Sequence, residues 1–97
     1  MVGPAIPDWR TRDMTTVEAV LEVGGEILGP SLSGEARCDP AWVLCWTANF
    51  LSARGLGMRA GDLVTTGTAC QPVPGAPGQE ITARFADLGD IALAIDA

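Results

Sequence analysis

Asp39-Pro40-Ala41-Trp42-Val43-Leu44-Cys45-Trp46-Thr47-Ala48-Asn49-Phe50-Leu51-Ser52-Ala53-Arg54-Gly55 is the stretch that separates a mixed α+β chain from an all-β one. Asp39 is an acidic N-cap, and Pro40 takes the first helical position, where its missing N–H costs nothing. The spacing predicts a helix from Pro40 to about Arg54, stopped by Gly55. Its apolar residues (Trp42, Val43, Leu44, Cys45, Trp46, Ala48, Phe50, Leu51 and Ala53) point in nearly every direction around the axis, whereas a surface helix shows a polar face. The helix is therefore expected to be central and buried, covered on one side by a sheet. In so short a chain a partner subunit or a missing part of the protein is expected on the other side.

On the N-terminal side, residues 1–15 carry Pro4, Pro7, Asp8, Trp9, Arg10, Arg12 and Asp13 without a sustained period and read as an irregular arm pinned by Trp9. From Thr16 to Val23 the chain has the two-residue period of a half-buried strand. Gly24-Gly25 supplies a hairpin turn into Glu26-Ile27-Leu28, and Gly29 to Gly34 is a loop. Beyond the helix, Leu56 to Gly61 is a glycine-rich connection and Asp62-Leu63-Val64-Thr65-Thr66 reads as a strand ending at Gly67. Pro72 to Gly78 is too rich in proline and glycine for regular structure. Ile81, Ala83 and Phe85 alternate with polar residues, and Asp87-Leu88-Gly89-Asp90 turns the chain into Ile91-Ala92-Leu93-Ala94-Ile95. The expected architecture is one α+β domain over residues 16–97, mostly antiparallel, with one buried helix.

Composition removes most catalytic chemistries. The 97 residues include no histidine and no tyrosine, and all six basic residues are arginines. A Schiff-base lysine, a histidine general base, a Ser-His-Asp site and a His-ligated metal are therefore beyond this chain alone. A net charge of −6 argues against nucleic acid and anionic membranes as partners, since both select a basic surface. No apolar run approaches the ~20 residues of a membrane helix. Cys38, Cys45 and Cys70 have no Cys-x-x-Cys spacing and no secretory signal before them, so free thiols in a reducing, cytoplasmic compartment are expected.

Pro40, then Trp46-Thr47-Ala48-Asn49 with Leu51 and Gly55, then Ala60-Gly61-Asp62-Leu63-Val64-Thr65-Thr66-Gly67-Thr68, then Pro77-Gly78 and Phe85 with Leu88-Gly89 form an ordered composite. It resembles the C-terminal portion of the hydratase/decarboxylase branch of the fumarylacetoacetate hydrolase superfamily, the 2-oxopent-4-enoate hydratases and 4-oxalocrotonate decarboxylases, over about Val17 to Ala97. The resemblance implies a truncated β-roll wrapped round a helix and a magnesium- or manganese-dependent site for small 2-keto acids. It also implies that the turn at Gly67 and Thr68, with Thr66 beside it, touches the substrate's carboxylate or keto oxygens; an ordinary glycine turn is the alternative. Relatives are well over twice this length and hold their metal with a Glu-x-Glu pair and a further acidic residue, and they carry a lysine in the site. This chain has neither Glu-x-Glu nor lysine. The Asp8-Trp9-Arg10 arm is similar to an Asp-Trp segment just before the family's central strands, which implies that some family residues are deleted between Asp13 and Thr16.

The remaining residues invite sharper readings that physical chemistry weakens. Glu18 and Glu22, four apart on a strand, would lie roughly 13 Å apart, too far for one ion, and read as a solvated face. Cys70 follows the Gly67-Thr68 turn, but without a histidine to activate it the thiol reads as inert. Trp42 and Trp46 share one helical ridge and read as core or interface packing. The expected function is thus a truncated 2-keto-acid hydratase or decarboxylase that holds no metal itself and is inactive alone, working only if another chain supplies the metal ligands. The alternative is a non-catalytic remnant or assembly subunit. Either way the chain is expected to be a homo-oligomer or to bind a complementary protein chain.

Overall fold

Gly24 and Gly25 both adopt positive φ, 60° and 85°, the backbone of a tight turn whose twist matches the strands it joins. In the computed structural model this turn closes a hairpin between β1 (Ala19–Val23) and β2 (Glu26–Gly29). The structure describes residues 2–96; Met1 and Ala97, the outer ends of the expected arm and domain, lie outside them. β3 (Glu80–Phe85) and β4 (Gly89–Ala94) form the C-terminal hairpin, and the four strands make one antiparallel sheet in the order β2-β1-β3-β4. Strand β1 begins three residues later than the periodicity suggests, because Asp13 accepts hydrogen bonds from Thr15 and Thr16 and holds that stretch in a turn.

The register sorts side chains by face. Leu21 opposes Ala83, Val23 opposes Ile81, and Ala83 in turn opposes Ile91, which gathers the apolar residues on one side. On the other side Arg84 bridges Glu22 at 2.8 Å and Asp90 at 2.6 Å. Gly29 ends β2 where another segment crosses it: a Cβ there would lie 2.6 Å from the Gln71 carbonyl oxygen. That crossing is held by Leu32 N–H to Ala69 O and Gln71 N–H to Pro30 O, both 2.9 Å, and it carries residues 66–70 to the sheet.

The helix α1 spans Pro40–Ser52, and Asp39 Oδ1 accepts from the backbone N–H of Ala41 at 3.0 Å and of Trp42 at 3.4 Å, as the sequence predicts. A turn ends at Gly55, whose φ of 70° a branched residue would resist. Two expectations fail here. The helix is not buried: it has no buried residue, and no strand packs along it. Its half-buried positions, among them Pro40, Val43, Thr47 and Leu51, form one stripe toward the rest of the chain, while Trp42 and Trp46 remain 64% and 52% exposed. The expectation assumed that the sheet's apolar face would reach the helix, but only irregular segments do. The strand expected at Asp62–Thr66 is also absent. Those residues run beside Thr47 and Leu51 of α1 with no neighbouring strand to pair with, and an extended segment without a ladder partner is not a strand.

The arm is held by Arg12, which contacts Asp8 at 3.0 Å and Asp87 at 3.1 Å, and not by Trp9, which is 54% exposed beneath the Arg10 guanidinium. Ala19 and Val20 are the buried hydrophobic residues among those described. No helix among the described residues is long and apolar enough to cross a membrane.

Candidate functional site

Thr66, Gly67 and Thr68 lie together on the wall of a cavity of about 510 Å3. Two contacts place them. Cys38 N–H donates to Thr68 O at 3.0 Å, which ties the turn to the residue before the α1 cap, and the 69–71 crossing ties it to the sheet. Gly67 adopts φ 99° with the Cys38 side chain against its Cα. In this geometry the N–H groups of Thr66, Gly67 and Thr68 donate to no acceptor among the described residues. Leu21, Ala83, Phe85 and Leu88 supply the opposite, apolar wall.

Arg37 is the cavity residue that the sequence reading missed. It lines this apolar cavity and also a neighbouring polar one of about 620 Å3, whose wall includes Thr15, Thr16, Ser31 and Ser33. Its Nη2 donates to Met14 O at 3.0 Å, and its Nη1 makes long contacts of 3.4 Å to Ser31 Oγ and Leu32 O. Nε is buried without a partner, and no described carboxylate pairs with this guanidinium. Its charge reaches the Asp13 carboxylate without an ion pair, and Glu18 and Asp39 line the polar cavity beside it, so the apolar cavity is the side on which Arg37 meets no carboxylate. One arginine two residues before a helix cap has no distinguishing sequence signal, so only tertiary placement reveals it.

Cys70, on the same wall, has its thiol pKa raised by burial, with the charge of Arg37 partly offsetting the effect. A thiol held protonated is a poor nucleophile, in agreement with the inert reading. Cys38, Cys45 and Cys70 are all free. Glu18 precedes β1 rather than sharing it, and Glu22 is not the solvated group expected, since its side chain is 16% exposed and pairs with Arg84. Among the described residues no three His, Cys, Asp or Glu side chains converge as a metal site would require. The donor set of this chain therefore does not fit a divalent ion.

The family model for the fumarylacetoacetate hydrolase C-terminal domain matches residues 1–95. The chain is 34% identical over 76 residues to 4-oxalocrotonate decarboxylase of Pseudomonas sp. (strain CF600), an alignment covering 78% of this chain and 29% of that protein. To the 4-oxalocrotonate decarboxylase of Pseudomonas putida it is 32% identical over 79 residues, 81% of this chain and 30% of the relative. To 2-hydroxyhexa-2,4-dienoate hydratase of Comamonas testosteroni it is 25% identical over 89 residues, 92% of this chain and 34% of the relative. The chain thus spans about a third or less of the length of the curated relatives it matches. No solved structure matches it. The apolar cavity with its glycine turn thus sits in a chain that belongs to the fumarylacetoacetate hydrolase C-terminal family, related to hydratases and decarboxylases.

Proposed function

We propose that this chain is the 2-keto-acid-binding part of a hydratase- or decarboxylase-type lyase, with the ligands for a divalent magnesium or manganese ion supplied by a further polypeptide. The observation that carries the reading is the placement of the Thr66–Thr68 turn and Arg37 on one cavity whose remaining wall is largely apolar. A small unsaturated keto acid has the matching polarity. Its hydrocarbon part fits against Leu21, Ala83 and Phe85, and its carboxylate and keto oxygens take the N–H groups, the Thr68 hydroxyl and the Arg37 charge. A divalent ion held by the further polypeptide would supply Lewis-acid polarisation of the acid's oxygens, chemistry that this chain's own side chains lack. This chain's own residues bind the acid, orient it and keep water from one side of it. Free thiols fit a reducing, cytoplasmic setting.

Calorimetry with oxalate, an enolate mimic, tests the reading. Oxalate should bind the chain, and Thr68→Val should lower its affinity by about 1–3 kcal/mol without unfolding the protein. Unchanged binding in the folded variant would leave the turn purely structural. Magnesium or manganese alone should bind only when the complementary polypeptide is present, and the chain alone should not turn over 2-hydroxypenta-2,4-dienoate. Turnover with added magnesium would place the ion's ligands in this chain and overturn that half of the proposal. The second reading, a non-catalytic assembly subunit, is favoured by the exposed apolar ridge of α1.

A further inference from the structure

The cavity of Thr66–Thr68 shares a wall with a second, smaller one. Met14, Phe85 and Leu88 line both the cavity of about 510 Å3 and an adjoining pocket of about 220 Å3, which Gly3, Pro4 and Ile6 of the arm close from outside and Ile91 of β4 from beneath. No charged, hydroxyl or amide side chain among the described residues lines this pocket. Both of its sides belong to the chain itself. The arm lies so close to the hairpin that a Cβ at Gly3 would stand 2.8 Å from Ile91 Cδ1, and Arg12 ties it at 3.1 Å to Asp87, the neighbour of Leu88. The polar groups are on the other side of the shared wall, where Arg37 and the Thr66–Thr68 turn line the larger cavity.

We propose that the pocket beneath the arm is a tail subsite, and that the acid this chain takes is a monocarboxylic 2-keto acid with an unbranched aliphatic tail. The inference rests on the keto-acid reading of the larger cavity and adds the class of acid to it. With the head at Arg37 and the turn, the tail passes Met14 and ends against Ile6 and Ile91. Polarity selects this class: a methyl end meets hydrocarbon on every side of the pocket, whereas a carboxylate or hydroxyl there would lose its water and find no partner. Size points the same way. A cavity of about 510 Å3 matches a drug-sized ligand, far larger than a short keto acid, and its further extension is the pocket. Within the shared wall Met14 is the side chain that yields, being unbranched and able to repack at little cost, while Phe85 is fixed in β3 opposite Ala19. Arg37 donates to the Met14 carbonyl at 3.0 Å and not to its side chain, so the thioether moves without unseating the cation.

Calorimetry with oxalate and with straight-chain 2-keto acids from 2-oxobutanoate to 2-oxooctanoate tests the subsite. Affinity should rise about fourfold for each methylene that enters the pocket. 2-Oxosuberate, of the same length but ending in a carboxylate, should bind at least about tenfold more weakly than 2-oxooctanoate. Ile6→Trp fills the pocket from the arm and should lower the ratio of 2-oxooctanoate to 2-oxobutanoate affinity at least about tenfold, read on protein with an unchanged circular dichroism spectrum. Ile6→Ala, the milder change, should lower the same ratio about threefold. A flat series in a protein that binds oxalate would overturn the tail subsite and leave the keto-acid reading standing, whereas no binding of oxalate or of any keto acid would overturn both. A tail gain kept in full by Ile6→Trp, or equal affinity for 2-oxosuberate, would place the tail outside this pocket and overturn the assignment.

Discussion

Gly67 holds an angle that other residues adopt only under strain, and it does so where a side chain has no room. Its φ is 99°, and a Cβ built there would stand 2.5 Å from Cys38 Sγ and 3.0 Å from Cys38 Cβ. Alanine at this position would carry both the backbone strain and the clash. Gly67→Ala should therefore cost about 1–3 kcal/mol of stability, read as a lower urea midpoint at unchanged slope. Cys38→Ala in the same chain should recover part of that loss by removing Sγ, leaving the strain in place. A fully neutral Gly67→Ala would mean that Cys38 and the turn are not locked together as the structure has them.

Among the elements, the N-terminal arm and the C-terminal hairpin are joined by charge. Arg12 reaches Asp8 within the arm and Asp87 at the β3–β4 connection, and Gly3 and Pro4 lie against Ile91 and Gly89 of β4. The Arg12 guanidinium lowers the Asp8 pKa below its ordinary 3.8, with slight desolvation acting the other way, and hydrogen bonds from the Thr15 hydroxyl and N–H lower that of Asp13. A carboxylate whose pKa is lowered by folding stabilises the fold fully above the ordinary value and loses that contribution as pH falls through the lowered one. The turns within the arm, from Asp8 to Arg12 and from Asp13 to Thr16, should thus keep their full stability at neutral pH and loosen below about pH 4, with rising amide exchange at Trp9–Thr11 while the β1–β3 amides stay protected. Asp87→Asn should bring the loosening on at neutral pH. Equal protection of the arm at pH 7 and pH 3 would show that apolar contacts, rather than Arg12, hold it.

The whole molecule is short of a core. Its radius of gyration is 15.3 Å, against about 12.5 Å for a compact domain of this length. The sheet packs through its own strands but carries no helix on its apolar face. Such a chain gains stability from whatever covers it, so its melting temperature should rise with protein concentration, by about 3–6 °C for each tenfold increase if two copies fold together. Scanning calorimetry across two decades of concentration checks this. A melting temperature independent of concentration would show that the isolated chain is stable by itself.

Local chemistry made a good part of this legible in the sequence. The Asp39-Pro40 helix start, the paired positive φ at Gly24-Gly25 and the alternation in β3 each depend on a few neighbouring residues, and each is found. The family composite was legible for the same reason, as a run of motifs in order. Where the outcome depended on distant partners, the sequence was silent or misleading. Leu63-Val64-Thr65 has strand chemistry but no strand to pair with, and α1 has a core composition but no sheet against it. The convergence of Arg37 on the cavity of Thr66–Thr68 depends on Met14, Ser31 and Leu32, which are near it only after folding. Periodicity and capping are properties of adjacent residues and can be read along a chain; burial and the convergence of a site are properties of segments brought together, which only the tertiary structure decides.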